Sequence, residues 1–111
     1  ILEIAGTGST SRKIFLSHGN RYGVERDLNV IADAARNAGA EAALYGHTHV
    51  PNCTMQDGIF LLNPGSIGRP RSSAGPSFAV LECSSGEPLS ARFFCLARRA
   101  REMVVQELKL K

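Results

Sequence analysis

Two short apolar runs in this chain of 111 residues each end beside a histidine. The first run, residues 13–17, precedes His18, and the second, residues 42–45, precedes Gly46 and His47. Apolar residues recur at helical spacing between the two runs. A helix between two buried strands forms a β-α-β unit, in which the strands are parallel and the crossover is right-handed. The pattern therefore predicts that both histidine segments lie at the same rim of one sheet.

The helix of this unit is predicted over residues 24–38. Gly39 would end it in the left-handed conformation that helix C-termini favour, and Glu25 and Asp27 would fall in its first turn. The apolar positions that define its face are Val24, Leu28, Ile31, Ala35 and Ala38.

The remaining chain is rich in strand patterns. Residues 1–4 read as a strand, and residues 6–11 as a hairpin loop that lacks the G-K-[ST] of a P-loop. Asp57-Gly58 predicts a hairpin between strands at 53–56 and 59–62. A further antiparallel pair is predicted at 77–82 and 91–96, after a loop at 67–76. Beyond residue 96, Ala100, Val104 and Leu108 recur at intervals of four and predict a terminal helix.

The segment Gly46-His47-Thr48-His49 holds two of the three histidines of the chain. On extended backbone, residues i and i+2 point to the same side, so His47 and His49 would face one small volume. Neutral imidazole is a common metal ligand, which favours a site for a divalent cation. Two solvent-facing polar side chains are the alternative that this spacing also allows.

The net charge of +3 is confined to the end of the chain. Residues 97–111 carry five basic and two acidic side chains, whereas the other 96 residues carry eight of each. The body of the protein therefore lacks the basic surface of a nucleic-acid-binding protein, and by charge only the tail could bind nucleic acid. We do not expect a nucleic-acid partner. The basic tail is interpreted as a solvated helix face or as a contact between copies of a homo-oligomer.

Composition places the chain among ordinary globular proteins, with 43% apolar and 21% charged residues. No apolar run approaches the roughly 20 residues that span a membrane, and no signal peptide pattern is present. The three cysteines lack metal-type spacing, so we expect reduced thiols and a cytoplasmic location. The first residue is not Met, and we expect this sequence to begin either inside a longer natural protein or after the removal of a segment.

The order of these motifs resembles the C-terminal half of a calcineurin-like metallophosphoesterase. Similar patterns occur in the small bacterial phosphodiesterases and in the phosphoesterase-like subunit of the retromer complex. The resemblance covers most of residues 1–96 and implies an α/β fold, one half of a sandwich of two packed sheets flanked by helices. Residues 97–111 would form a separate helical tail. The matching segments are Leu16-Ser17-His18-Gly19, residues 44–51, Leu62-Asn63-Pro64-Gly65-Ser66, Arg69-Pro70-Arg71 and residues 77–82.

The resemblance implies a centre with two divalent metal ions that hydrolyses a phosphoester, most typically a phosphodiester. It places His18 and His47 on one ion and His49 on the other. Mn is the expected metal, and Ni, Co, Fe, Zn or Mg are the other candidates. The ions would be bridged by an aspartate and a water or hydroxide.

The chain departs from the family pattern because three ligand motifs are absent from it. D-x-H, G-D-x-x-D and G-N-[HC]-[DE] do not occur in the 111 residues. We therefore expect weak metal binding and little activity from these residues alone, and no general acid can be named. Three explanations remain: a piece of a longer enzyme, an inactive natural truncation, or a second polypeptide that supplies the other ligands. A non-catalytic scaffold for protein interactions is the alternative function.

Six further residues are candidates for substrate binding, for support of the metal ligands or for covering the site. Asn20 stands where family members often have a second histidine. Asn63 and Ser66 belong to a turn that either shapes the pocket or only ends a strand. Arg69, like Arg71, is either a phosphate contact or a solvated loop residue. Tyr22 would cover the site or pack on the helix.

Overall fold

The computed structural model describes residues 2–5, 11–84 and 86–110. Residues 6–10 of the predicted hairpin loop lie outside these ranges. No helix within the described ranges is long and apolar enough to cross a membrane. Besides a short 3-10 helix at Asn20–Tyr22, the elements are β1 (Leu2–Ala5), β2 (Ser11–Leu16), α1 (Asn29–Asn37), β3 (Ala42–Leu44), β4 (Asn52–Gln56), β5 (Ile59–Asn63), β6 (Ser77–Glu82), β7 (Ser90–Arg99) and β8 (Glu102–Leu108).

The strands form two sheets. The first has the order β1-β2-β3-β5-β4, and the second has the order β6-β7-β8. Strands β2 and β3 are parallel, as are β3 and β5, which confirms the predicted β-α-β unit. All other neighbours are antiparallel, including the predicted pairs β4–β5 and β6–β7.

Each face of the first sheet buries a different set of apolar side chains. On one face, α1 packs through its buried residues Ile31, Ala32 and Ala35 onto Ala43 and Leu61. On the other face, the second sheet covers the first. Phe93 of β7 and Leu89, just before β7, pack against residues from β2, β3 and β5. The first sheet is therefore covered on both faces, as sheets with parallel strands usually are.

The prediction that the helix begins at Val24 is wrong, because α1 begins at Asn29. Gly23 adopts φ +62°, and its carbonyl accepts hydrogen bonds from the amides of Arg26 and Asp27, which closes a separate turn. Glu25 and Asp27 consequently lie before the helix, and Asp27 Oδ1 accepts a hydrogen bond of 2.9 Å from the Asn29 amide.

The predicted helix end is confirmed. Gly39 has φ +78°. Its amide donates to the Arg36 carbonyl, and the Ala40 amide donates to the Ala35 carbonyl. This pair of bonds is the Schellman arrangement, which satisfies carbonyls that the helix itself leaves free.

The predicted terminal helix, and with it the separate tail over 97–111, is wrong. Strand β7 continues to Arg99, and β8 returns antiparallel to it from Glu102 to Leu108. A spacing of four residues is also a multiple of two, so Val104 and Leu108 share one face of a strand as readily as one face of a helix. The adjacent β-branched residues Val104 and Val105 favour the strand.

Candidate metal centre

Hydrogen bonds across the ends of β2 and β3 bring the two histidine segments together. The Ser17 amide donates to the Leu44 carbonyl over 3.1 Å, which continues the parallel pairing by one residue. The Gly46 amide then donates to the His18 carbonyl over 2.9 Å. His18 and His47 thus leave the sheet at the same rim, as the sequence predicts.

The side chains of His18 and His47 face each other. His47 Nδ1 lies 3.3 Å from His18 Nε2, and the rings are 5.2 Å apart at an angle of 71°. Two nitrogen ligands about 2.1 Å from one cation, at angles between octahedral and tetrahedral, lie about 3.0–3.4 Å apart. The spacing of the two nitrogens therefore fits a shared metal ion.

The loop that holds His47 and His49 is bent rather than extended. His47 has φ +72° and His49 has φ +62°, values in the left-handed region that few residues other than glycine adopt. The premise that an extended backbone places both side chains on one side is therefore wrong. Strained backbone of this kind persists where surrounding contacts impose it, and it concentrates at functional sites.

His49 contributes a buried nitrogen without a hydrogen-bond partner. Its Nδ1 is enclosed and makes no hydrogen bond within the described part of the chain. An unsatisfied buried polar group of this kind costs about 1–3 kcal/mol, so its position favours a ligand role. Across residues 2–5, 11–84 and 86–110, however, no three His, Cys, Asp or Glu side chains gather around one point that could hold a metal ion.

Asn63 fixes the shape of the histidine loop from the end of β5. Its side chain is fully buried. Its amide nitrogen donates to the Gly46 carbonyl over 3.2 Å and to Thr48 Oγ1 over 2.9 Å, and its Oδ1 accepts from the Gly65 amide over 2.9 Å. The two interpretations of this turn are therefore compatible, because one side chain both ends the strand and supports the loop.

The other candidates lie around this loop in different roles. Ser66 Oγ accepts a 2.9 Å hydrogen bond from the Arg69 amide, so Ser66 shapes its own loop. Arg69 is exposed, as is Asn20 in the short 3-10 helix. Tyr22 packs edge-on against Phe15 with ring centres 5.6 Å apart, which confirms the packing interpretation.

A shallow cavity of about 460 Å³ opens beside His18 at the rim of the first sheet. Its walls are mainly apolar, and Leu16 is 50% exposed there. Tyr45 forms part of the lining. Burial raises the pKa of its phenol, although the Asn52 amide, which donates to the phenol oxygen over 3.2 Å, partly opposes this.

One residue beside the histidines is absent from the sequence prediction of the site. Glu25 Oε2 lies 3.5 Å from His47 Nε2. The sequence predicts Glu25 in a helix, and its approach to His47 depends on the turn at Gly23, which the helical periodicity conceals. A glycine one position before Val24 is the only local signal for that turn.

Comparison with known families identifies the class of this chain. The model of the calcineurin-like phosphoesterase superfamily domain matches residues 3–86. The chain belongs to this family, which confirms the resemblance seen in the motifs.

Two curated bacterial proteins show the relationship in sequence. The probable metallophosphoesterase YsnB of Bacillus subtilis is 32% identical over 84 residues, which are 76% of this chain and 49% of YsnB. The phosphodiesterase YfcE of Escherichia coli K12 is 31% identical over 71 residues, which are 64% of this chain and 35% of YfcE. The chain therefore spans half or less of the length of these relatives.

Two solved structures show the relationship in fold. A conserved protein of Streptococcus pneumoniae TIGR4, described as a predicted phosphoesterase, superposes with a TM-score of 0.69 at 28% identity and covers 96% of this chain and 60% of its own. Vps29 of Entamoeba histolytica in complex with Zn²⁺ superposes with a TM-score of 0.61 at 24% identity, over 96% of this chain and 58% of its own. At 24% identity, the similarity to this Vps29 shows a shared fold alone.

Proposed function

We propose that the whole protein is a metal-dependent phosphoesterase that hydrolyses phosphodiesters at a centre of two divalent cations. The observation that supports this most directly is the 3.3 Å separation of His18 Nε2 and His47 Nδ1 at adjoining strand ends. The membership of the calcineurin-like phosphoesterase family and the similarity to a bacterial phosphodiesterase agree with it.

In this proposal the three histidines hold the cations. His18 and His47 bind one ion together through neutral imidazole nitrogens, and the half-buried His49, whose Nδ1 is enclosed, binds the second. Bound divalent ions would supply Lewis acidity and lower the pKa of a coordinated water. Mn²⁺ is the proposed metal, and the zinc complex of a Vps29 shows that another protein of this fold takes a divalent ion.

Asn63 contributes by holding the strained loop in place. Its hydrogen bonds to Gly46 and Thr48 flank His47, so the loop that carries the imidazole is held before any cation binds. Preorganised ligands bind more tightly because less conformational entropy is lost on binding. Arg69 and Arg71, on the exposed loop after Ser66, are the proposed contacts for the substrate phosphate.

The remaining ligands come from outside residues 1–111 in this proposal. Three imidazoles cannot fill the shells of two cations, and the histidine pair has only the single carboxylate of Glu25 in contact within the described ranges. Either a longer chain or a second polypeptide would supply the bridging aspartate.

An interaction scaffold is the second candidate function. The likeness in fold to Vps29 supports it, as does the apolar lining of the cavity beside His18. A scaffold needs the shape of the rim but not metal-dependent turnover, and this difference separates the two candidates.

Hydrolysis of bis(p-nitrophenyl) phosphate by the full-length gene product tests the proposal. We expect turnover that requires Mn²⁺, disappears with a chelator and falls by at least about 100-fold in His47→Ala, because even loss of an outer-shell partner costs 10–100-fold. Asn37→Ala, at the exposed end of α1, is the control and should retain wild-type activity. Absence of metal-dependent turnover, or turnover unchanged in His47→Ala, contradicts the enzyme and favours the scaffold.

A further inference from the structure

The position of Glu25 is fixed by the turn that precedes α1. Val24 is only 7% exposed and packs in the core under α1, where an added Cβ on Gly19 would lie 3.0 Å from its side chain. The Arg26 amide donates to the Gly23 carbonyl over 2.9 Å and closes the turn around Glu25. Since its neighbours on both sides are held, the Glu25 side chain starts from a defined point beside the histidine loop.

The two nitrogens of His47 meet different partners. Nε2 lies 3.5 Å from Glu25 Oε2, whereas Nδ1 lies 3.3 Å from His18 Nε2. A neutral imidazole carries its proton on one nitrogen and a lone pair on the other, and a carboxylate only accepts hydrogen bonds. The proton of His47 is therefore favoured on Nε2, which leaves the lone pair of Nδ1 directed toward His18.

We propose that Glu25 is a positioning residue that fixes the Nε2–H tautomer of His47 and thereby presents Nδ1 to the cation shared with His18. The role of the cation rests on the proposed function above, whereas the tautomer is set without any cation, by Glu25 on one side of the ring and by His18 on the other. Carboxylates that accept the free N–H of a ligating imidazole set its orientation and raise its basicity in many metal sites.

The tautomer is tested without metal by long-range ¹H–¹⁵N NMR of the histidine side chains in the full-length gene product. The spectra are recorded above a pH of about 8, where imidazole is ordinarily neutral. We expect His47 to be mainly Nε2–H in the wild type and a mixture of both tautomers in Glu25→Ala. Glu25→Gln should retain more of the Nε2–H form than Glu25→Ala, because an amide oxygen, like a carboxylate oxygen, can accept from an imidazole N–H.

The control for this experiment is Glu102→Ala, which removes an exposed carboxylate from the second sheet and should leave His47 unchanged. Equal tautomer populations in the wild type and Glu25→Ala, or a wild type that is mainly Nδ1–H, would overturn the proposal. An exposed ion pair without a positioning role predicts equal populations.

Binding of Co²⁺, followed by its absorption spectrum, separates this inference from the proposed function. We expect Glu25→Ala to bind Co²⁺ about 10-fold more weakly than the wild type, and Glu102→Ala to bind it equally well. A tautomer change without Co²⁺ binding in any variant upholds the role of Glu25 toward His47 and contradicts the metal centre. Co²⁺ binding that Glu25→Ala leaves unchanged contradicts the positioning role.

Discussion

At the residue scale, Gly65 shows how closely the turn after Asn63 is packed. Its φ is +85°, and an added Cβ would overlap Ser77 Oγ and lie 3.1 Å from Pro51 Cδ. Ser77 cannot easily move away, because it is 2% exposed and its hydroxyl donates to the Pro64 carbonyl over 2.9 Å. The position therefore excludes side chains both by backbone conformation and by space.

We expect Gly65→Ala to lower the free energy of unfolding by at least about 2 kcal/mol, from left-handed strain together with the steric overlap. Urea denaturation measures this. Gly68→Ala is the matched control, because a Cβ there meets no atom within 4 Å, and its effect should stay within about 0.5 kcal/mol. Equal effects of the two substitutions would show that Gly65 is not packed in this way.

The sequence predicts the positions of some site residues but not of others. The proximity of His18 and His47 is predicted from the parallel strands, because the strand ends of a β-α-β unit lie at the same rim of the sheet. The role of Asn63 cannot be predicted from the sequence. An Asn side chain that only forms a turn and one that is buried and supports a loop occur in the same local sequence. The contact between Glu25 and His47 depends on a turn at Gly23. The apolar residues that follow Gly23 recur at helical spacing and predict a helix there, so only the structure reveals this contact.

At the element scale, the strand β8 shows where periodicity fails. Its apolar residues Val104 and Leu108 satisfy a period of 3.6 and a period of 2 almost equally well. Pairing with β7 decides in favour of the strand, with Ala97 opposite Val104 and Phe93 opposite Leu108. The reversal between the two strands places Ala100 at φ +55°, a conformation that a helix would not contain.

Substitution of Ala100 by glycine distinguishes the two structures by the sign of its effect. In the hairpin, Gly relieves left-handed strain, and we expect a gain in unfolding free energy of about 1 kcal/mol. In a helix the same change would cost about 1 kcal/mol. Chemical denaturation measures the difference, with Ala34→Gly inside α1 as the control that should be destabilised by about that amount. A loss at Ala100 would contradict the β7–β8 hairpin.

At the scale of the whole molecule, the first sheet contributes both to the buried core and to the rim at which His18 and His47 lie. The segment after β2, the loop after β3 and the turn after β5 meet at that rim, and hydrogen bonds from Gly46 and Asn63 connect them. Local sequence predicts the β-α-β unit but not the packing of one sheet on the other, which depends on contacts such as Phe93 with β2, β3 and β5.

The structure also changes the predicted placement of the basic residues at the end of the chain. The basic residues at the end of the chain do not form a helix face, because Arg98, Arg99 and Arg101 lie around the exposed β7–β8 turn. Arg92 is paired with Glu107 across the same two strands over 3.2 Å. This bond and a second one from Lys109 lower the pKa of Glu107 to about 2.

A double-mutant cycle of Co²⁺ affinity tests whether His18 and His47 bind one cation together. Wild type, His18→Ala, His47→Ala and the double variant of the full-length gene product are titrated with Co²⁺ and followed by absorption. Ligands of one ion act as a unit, so we predict that each single variant loses nearly as much affinity as the double variant. Losses that add independently, or affinity unchanged in either single variant, would contradict the shared site.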